Sequence, residues 1–233
     1  MSFRFRQFTI EDEQSTLRVG TDSMLLGSWA DPGNAKRILD IGTGCGVLAL
    51  MMAQKSDAEI EAIDIDQASQ MEALMNFSNS PWSARLKAIH ESVQTYAERA
   101  TAGFDFIITN PPYFSNSLKS QSLRMNRARH DDSLSFTELA GISSRLLTTD
   151  GILALILPTI LAERLQFTCK AHGLFLSRTL KVSAHPATSP KRTLMEFTKN
   201  KINHPATSDL TIRDSAGKFM SEYLALTGCF HNF

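Results

Sequence analysis

Residues 38 to 46 read Ile38-Leu39-Asp40-Ile41-Gly42-Thr43-Gly44-Cys45-Gly46, and the apolar stretch Val47 to Ala53 follows at once. An apolar strand, a glycine turn and an apolar helix form the βα unit with which open α/β sheets bind nucleotides. The turn departs from the dinucleotide pattern in one respect. Asp40 closes the strand two residues before the first glycine, where a carboxylate disfavours a pyrophosphate and suits a ligand that is cationic at one end. Gly42, Gly44 and Gly46, with Thr43 among them, let the backbone come close to that ligand. A second unit, Glu59-Ile60-Glu61-Ala62-Ile63-Asp64-Ile65-Asp66, sets Asp64 22 residues after Gly42. An α/β fold places there the carboxylate that grips a ribose diol. A ribose at one end and a positive charge at the other describe S-adenosylmethionine.

The string Thr109-Asn110-Pro111-Pro112-Tyr113 follows the apolar run Phe104 to Ile108 as a catalytic loop follows a buried strand. It offers acceptors and a ring, and no nucleophile. Two prolines in succession fix φ and lack N–H groups, giving a stiff turn with outward carbonyls. The side-chain carbonyl of Asn110 and the main-chain carbonyl of Pro111 suit the two N–H bonds of a planar amino group, stacked on Tyr113. A plain strand-end turn is the alternative for an isolated Asn-Pro-Pro. The glycine unit upstream favours the functional reading.

The remainder alternates as a doubly wound sheet with helices on both faces. Leu86 to His90 reads as the third strand, Ser135 to Leu147 as the helix between the fourth and fifth, and Gly151 to Leu157 as the fifth. Phe175 to Val182 and Leu194 to Thr198 fit a closing pair. Phe3 to Ile10 alternates apolar with polar residues and Ser15 to Val19 is extended, so paired strands are expected over the cofactor side. Residues 114 to 133 and His185 to Arg192 are the stretches expected to be flexible. With no repeat or low-complexity linker, the chain reads as a single domain over 1–233. Residues 1–30 form an N-terminal extension, and 164–233 a C-terminal part with a candidate RNA-contacting basic face.

The 233 residues, 42% hydrophobic and 21% charged, suit one well-packed domain. Three scattered cysteines, Cys45, Cys169 and Cys229, indicate neither a disulfide framework nor a metal site, and a reducing cytoplasm is the expected home. No long apolar run or signal-like start points to a membrane. The formal net charge is zero, yet its distribution is uneven. Asp57 to Glu72 holds six acids and no Lys or Arg. Lys119, Arg124, Arg127 and Arg129 follow the Asn-Pro-Pro-Tyr string with no acid among them, placed to steer phosphates. Residues 164 to 218 hold ten Lys or Arg, Lys191 and Arg192 included, against three acids. A solvated face explains that stretch as well as an RNA contact does.

Asp40 to Gly46, Asp64 and Asn110 to Tyr113 resemble the first, second and fourth motifs of class I adenosylmethionine-dependent methyltransferases. The Asn-Pro-Pro-Tyr form is similar to that of enzymes acting on adenine N6 or glutamine N5. Asp22-Ser23-Met24-Leu25-Leu26-Gly27-Ser28-Trp29 and Ser221 to Leu226 narrow the likeness to the bacterial tRNA1(Val) (adenine(37)-N6)-methyltransferase family. That resemblance covers nearly the whole chain. It implies a Rossmann-like, mostly parallel seven-stranded sheet whose last strand is antiparallel, S-adenosylmethionine as cofactor, tRNA as partner, and a monomer without metal. It implies cofactor contacts from Asp40, Gly42, Thr43, Gly44, Gly46, Asp64 and Ile65, and catalysis at Asn110, Pro111, Pro112 and Tyr113.

After the third strand the family usually shows an acid that meets the cofactor's adenine amino group. The match here is Ser92, followed by Val93. A hydroxyl can accept the same bond, Glu91 reaches it by a shift of register, and a helix N-cap is the competing role for Ser92. Three other functions compete with tRNA methylation. A glutamine N5 methyltransferase of release factors carries a sizeable helical domain ahead of the first motif, whereas 39 residues precede Asp40 here. A DNA adenine methyltransferase needs a target-recognition insertion. An inactive RNA-binding protein on the same fold is the non-enzyme reading, against which the intact Asp40, Asp64 and Asn110 argue.

Overall fold

The structure, a computed structural model, describes residues 2–15, 18–101, 103–111 and 134–231. Ten strands and seven α-helices occur among them. A short antiparallel pair, β1 (Ser2–Arg4) and β2 (Thr9–Glu11), leads into α1 (Thr21–Trp29). The central run is β3 (Arg37–Ile41), α2 (Val47–Lys55), β4 (Glu59–Asp64), α3 (Gln67–Ser78), β5 (Leu86–His90), α4 (Val93–Arg99) and β6 (Phe104–Thr109). After it come α5 (Phe136–Leu146), β7 (Leu147–Pro158), α6 (Ala162–Ala171), β8 (Phe175–Ser183), β9 (Arg192–Thr198), β10 (Ala206–Thr211) and α7 (Ser221–Thr227).

The large sheet has the order β10-β8-β9-β7-β6-β3-β4-β5. Strands β5, β4, β3, β6 and β7 run parallel, and β9 is antiparallel to both β7 and β8. Central strands such as Phe106-Ile107-Ile108 are buried on both faces, as continuous apolar sequence requires in a parallel sheet. One core packs α1, α2, α3, α7 and the β1–β2 pair on one face; the other packs α4, α5 and α6. Met24, Met51 and Met52 lie in the first core. Gly27 of α1 sits so close to α2 that a Cβ would come within 2.3 Å of the Met51 sulfur.

The sheet has eight strands where seven are expected. The extra one, β10, pairs parallel to β8 at the edge, and of its six residues only Leu210 is buried. Without apolar alternation, Ala-Thr-Ser-Asp-Leu-Thr gives the sequence no strand signal. Helix boundaries follow their caps closely. Ser135 accepts from the Glu138 N–H while Glu138 accepts from the Ser135 N–H, a reciprocal pair that starts α5. Among the described residues no helix is long and apolar enough to cross a membrane.

From β3 the chain builds β4 and β5 on one side and then crosses to place β6 on the other. The carboxyl ends of β3 and β6 therefore flank the point where the winding reverses. A crevice opens there in doubly wound sheets.

Candidate active site

Asp40, Asp64 and Asn110 end, or directly follow, three strands that lie side by side. Register pairs Asp40 with Ala62 of β4 and with Ile108 of β6, and Ile41 with Ile63 and Thr109. The glycine turn leaves β3 over the end of β4, where the N–H groups of Gly42 and Thr43 both donate to the Ile63 carbonyl. Gly42, Gly44 and Gly46 take φ of +70°, +56° and +87°. At Gly46 a Cβ would also meet the buried Phe77 ring at 2.5 Å, so a side chain there would force the ring to move. At Gly42 no atom of the described residues lies within 4 Å of that position, which leaves the turn open there.

Asp40 is fully buried. One carboxylate oxygen accepts from the Thr43 hydroxyl at 2.6 Å, and the other, Oδ1, has no hydrogen-bond partner among the described residues. Burial pushes its pKa up to about 7; the Thr43 hydroxyl and the Ala49 main-chain N–H oppose the shift and the nearby Asp64 adds to it. Asp64 differs. Its two oxygens accept the N–H groups of Gly44 and Asp66, at 2.8 and 2.9 Å, so the carboxylate braces the turn from below. Each oxygen retains a second lone pair. Burial raises the Asp64 pKa, against those two hydrogen bonds.

Ile65 is 51% exposed, an apolar side chain presented at the rim of the site, with its carbonyl bonded to the His90 ring. Ser92 caps α4, its hydroxyl oxygen accepting from the Thr95 N–H at 3.1 Å, and Val93 is buried behind it. The competing cap role is thus the one on view. Glu91 pairs with Arg99. Asn110 is half-buried and Pro111 buried, at the end of β6. Pro112, Tyr113, Lys119, Arg124, Arg127 and Arg129, like residues 114 to 133 as a whole, lie outside the described residues.

Several basic residues of the C-terminal stretch are tied to other parts of the fold. Arg178 forms an ion pair with the buried Glu196 and lies over the Trp29 ring. Lys199 donates to the Leu147 carbonyl at the amino end of the sheet. Arg192 binds both oxygens of Asp22 through Nε, at 3.0 and 2.8 Å, joining the start of β9 to the start of α1. Lys191 beside it is exposed at the carboxyl end of the sheet, as are Lys181 and Lys218. The turn His185 to Lys191 is closed by Thr188, which bonds the His185 main chain in both directions.

Three side chains in this region have no role in the sequence reading. Thr109 donates to the Ile41 carbonyl, and Glu72 and Asn76 of α3 bind main chain of the N-terminal segment. Thr109 stands in the quoted string and gives no chemical signal of its own. Glu72 counts there among six acids of a polar stretch, although the i, i+4 spacing of Glu72 and Asn76 beside Ala73 and Phe77 marks a polar stripe on a core-facing side.

Comparison with known proteins decides the family. A protein of Phocaeicola vulgatus, the tRNA1(Val) (adenine(37)-N6)-methyltransferase, is 40% identical over 98% of this chain and 97% of its own length. The protein of the same name from Parabacteroides distasonis is 38% identical with the same coverage. The chain belongs to the tRNA1(Val) (adenine(37)-N6)-methyltransferase family. Residues 15–130 also match the methyltransferase small domain. Among solved structures, a predicted O-methyltransferase from Agrobacterium tumefaciens superposes with a TM-score of 0.70 at 21% identity, covering 90% of this chain and 96% of that one. The fold shared with it is the α/β methyltransferase fold.

Family membership makes the chain an S-adenosylmethionine-dependent methyltransferase, and the residues fit that cofactor. The buried Asp40 carboxylate, one oxygen of which has no hydrogen-bond partner among the described residues, suits a cationic group, the open side of Gly42 admits it, and Asp64 has acceptor capacity for a diol.

Proposed function

We propose that this protein methylates N6 of an adenine in tRNA, adenine 37 of tRNA1(Val), the reaction for which relatives 40% and 38% identical are named. The observation that supports it most is the placement of Asp40 and Asn110 at the ends of two paired strands, β3 and β6, on either side of the reversal in winding. One strand end suits the charged cofactor and its neighbour suits the amino group.

When bound, S-adenosylmethionine supplies an electrophilic methyl group on a positive sulfur and leaves as a neutral thioether. Asp40 balances the positive charge of the bound cofactor through Oδ1, which has no hydrogen-bond partner among the described residues. Asp64 accepts from the ribose while bracing the turn through Gly44. In this reading Asn110 and Pro111 accept the two N–H bonds of the target amino group. That draws its lone pair out of the ring, and stabilises the charge that develops as the new N–C bond forms. The methylated nitrogen then sheds a proton to water without a dedicated base. Tyr113 stacks on the base, which leaves its own stack at less cost in an anticodon loop than in a duplex.

The RNA surface belongs to the same proposal. Lys119, Arg124, Arg127 and Arg129 follow the reactive string, and exposed Lys191 stands at the same end of the sheet. In this reading the enzyme acts as a monomer. All three cysteines are free, in keeping with the reducing cytoplasm where tRNA resides.

Incubation with methyl-labelled cofactor and separate pools of tRNA, ribosomal RNA, DNA and release factor tests the substrate class. Label in tRNA, lost with Asn110→Ala while cofactor affinity stays within a few-fold, is the expected result. Label confined to another pool overturns the reading.

A further inference from the structure

Glu72 and Asn76 take no part in the chemistry above, yet they are among the most buried polar side chains, at 3% and 1% exposure. They are four residues apart on α3 and therefore share one helix face. The Asn76 amide nitrogen donates to the Cys45 carbonyl inside the glycine turn and to the Glu11 carbonyl, both at 2.8 Å, while its oxygen accepts from the Glu11 N–H at 2.9 Å. The Glu72 carboxylate accepts three successive amides, those of Glu13, Gln14 and Ser15, at 2.8, 2.9 and 2.9 Å. Side chains this deep and this fully bonded fix the groups they bind, because leaving any one unpaired in the interior is costly.

The Asn76 bond to the Cys45 carbonyl is the tie to the glycine turn. Burial pushes the Cys45 thiol up to about 12, and the charges of Asp12 and Glu72 add to that. Asp12 is itself buried and accepts the Val19 N–H at 3.1 Å. One helix face thus grips the N-terminal segment with Glu72, and both that segment and the turn with Asn76.

We propose that Asn76 and Glu72 are positioning residues for the cofactor, joining residues 11–15 and the glycine turn into one unit, so that the N-terminal segment is a working wall of the cofactor site. This rests on the reading of the glycine turn as the S-adenosylmethionine site. Coupling of this kind is reciprocal: whatever the ordered segment adds to cofactor affinity, bound cofactor returns as order in the segment.

Hydrogen exchange and calorimetry on the full chain test it. In the unaltered protein, saturating S-adenosylmethionine slows exchange of the Glu13, Gln14 and Ser15 amides by about tenfold. Glu72→Gln puts a donor against one of those three amides. It speeds their exchange without ligand, speeds exchange at the amides of Cys45 to Leu50, and raises the cofactor Kd by about tenfold. At saturating cofactor, kcat and the KM for tRNA stay within about twofold, a split that general loss of structure does not give. Asn76→Asp keeps the size and the acceptor but loses both donations, and is expected to behave like Glu72→Gln, with Asn76→Ala more severe.

Three results overturn the proposal: no protection of residues 13–15 when cofactor binds, a cofactor Kd unchanged in a Glu72→Gln protein whose segment has been released, or no release at all. If the unaltered protein binds no S-adenosylmethionine, the cofactor reading itself fails. The coupling is then still decided by whether Glu72→Gln speeds exchange in the glycine turn.

Discussion

The hydroxyl of Thr109 donates to the main-chain carbonyl of Ile41 over 2.8 Å, in the buried layer where the ends of β6 and β3 lie side by side. Ile41 immediately precedes the glycine turn and Thr109 immediately precedes Asn110. This side-chain bond adds a tie to the ladder between the two strand ends, the one proposed to hold the cofactor and the one proposed to hold the target amino group. Thr109→Val keeps the branched shape and removes this bond to the Ile41 carbonyl, at a cost of about 0.5–1.5 kcal/mol in stability. Because small misplacements of reacting groups are expensive, kcat is expected to fall about tenfold with the tRNA KM little changed. Thr109→Ser, which keeps the hydroxyl, restores most of it. Equal kcat values for the Val and Ser proteins in single-turnover assays would refute this role.

Asp64 is expected to show two effects at once. Removing its carboxylate in Asp64→Ala strips the Gly44 and Asp66 amides of their acceptor and takes the diol's acceptor away. Thermal unfolding should report a loss of about 1–3 kcal/mol, and calorimetry a weaker cofactor by a similar amount. A folded variant with unaltered affinity would leave Asp64 a purely structural brace.

Cofactor binding should depend on pH through Asp40. Its pKa lies at about 7 in the fold against 3.8 in an unfolded chain, so its contribution to the stability of the free protein is fully present below the unfolded value and is lost as pH rises through about 7. A cationic ligand favours the ionised form. Affinity should therefore climb between about pH 5 and 7 and level off above, with proton release on binding below pH 7. Asp64, also raised by burial, adds in the same direction. Asp40→Asn should remove most of the slope. Calorimetry in buffers of different ionisation heat measures the protons directly, and a pH-independent Kd would contradict this role for Asp40.

Arg192 and Asp22 should behave as a pair. Arg192→Ala and Asp22→Ala are each expected to lower the melting temperature slightly, with a coupling of up to about 1 kcal/mol in a double-mutant cycle, since the pair is partly exposed and screened. Lys191→Ala should instead leave stability alone, raise the tRNA KM and reduce the dependence of binding on salt. Strict additivity of the first two would separate them.

The strands and turns that hold the site were legible because their signals are local. Asp40 to Gly46 and the third strand Leu86 to His90 appear where apolar runs and glycines place them. β10 was not, since its edge position asks for only one buried residue, Leu210. Among the charged residues, sign alone does not name the partner. Arg178 and Arg192 are tied to Glu196 and Asp22, partners 18 and 170 residues away, and Glu72 faces the interior rather than water. No local pattern distinguishes a basic residue that meets phosphate from one that meets a distant carboxylate. The Thr109 contact is invisible for the same reason, because it exists only once β3 and β6 pair.

The claim that the paired ends of β3 and β6 methylate one adenine beside an anticodon is tested most directly by mass spectrometry of nuclease-digested tRNA1(Val). The RNA is purified from cells lacking this protein and then incubated with the purified enzyme and S-adenosylmethionine. The account predicts unmodified adenine at position 37 before incubation and N6-methyladenine at that position afterwards, with no gain when Asn110 is replaced by alanine. N6-methyladenine already present at position 37 in the deficient cells, or methylation appearing elsewhere while position 37 stays unmodified, would contradict it.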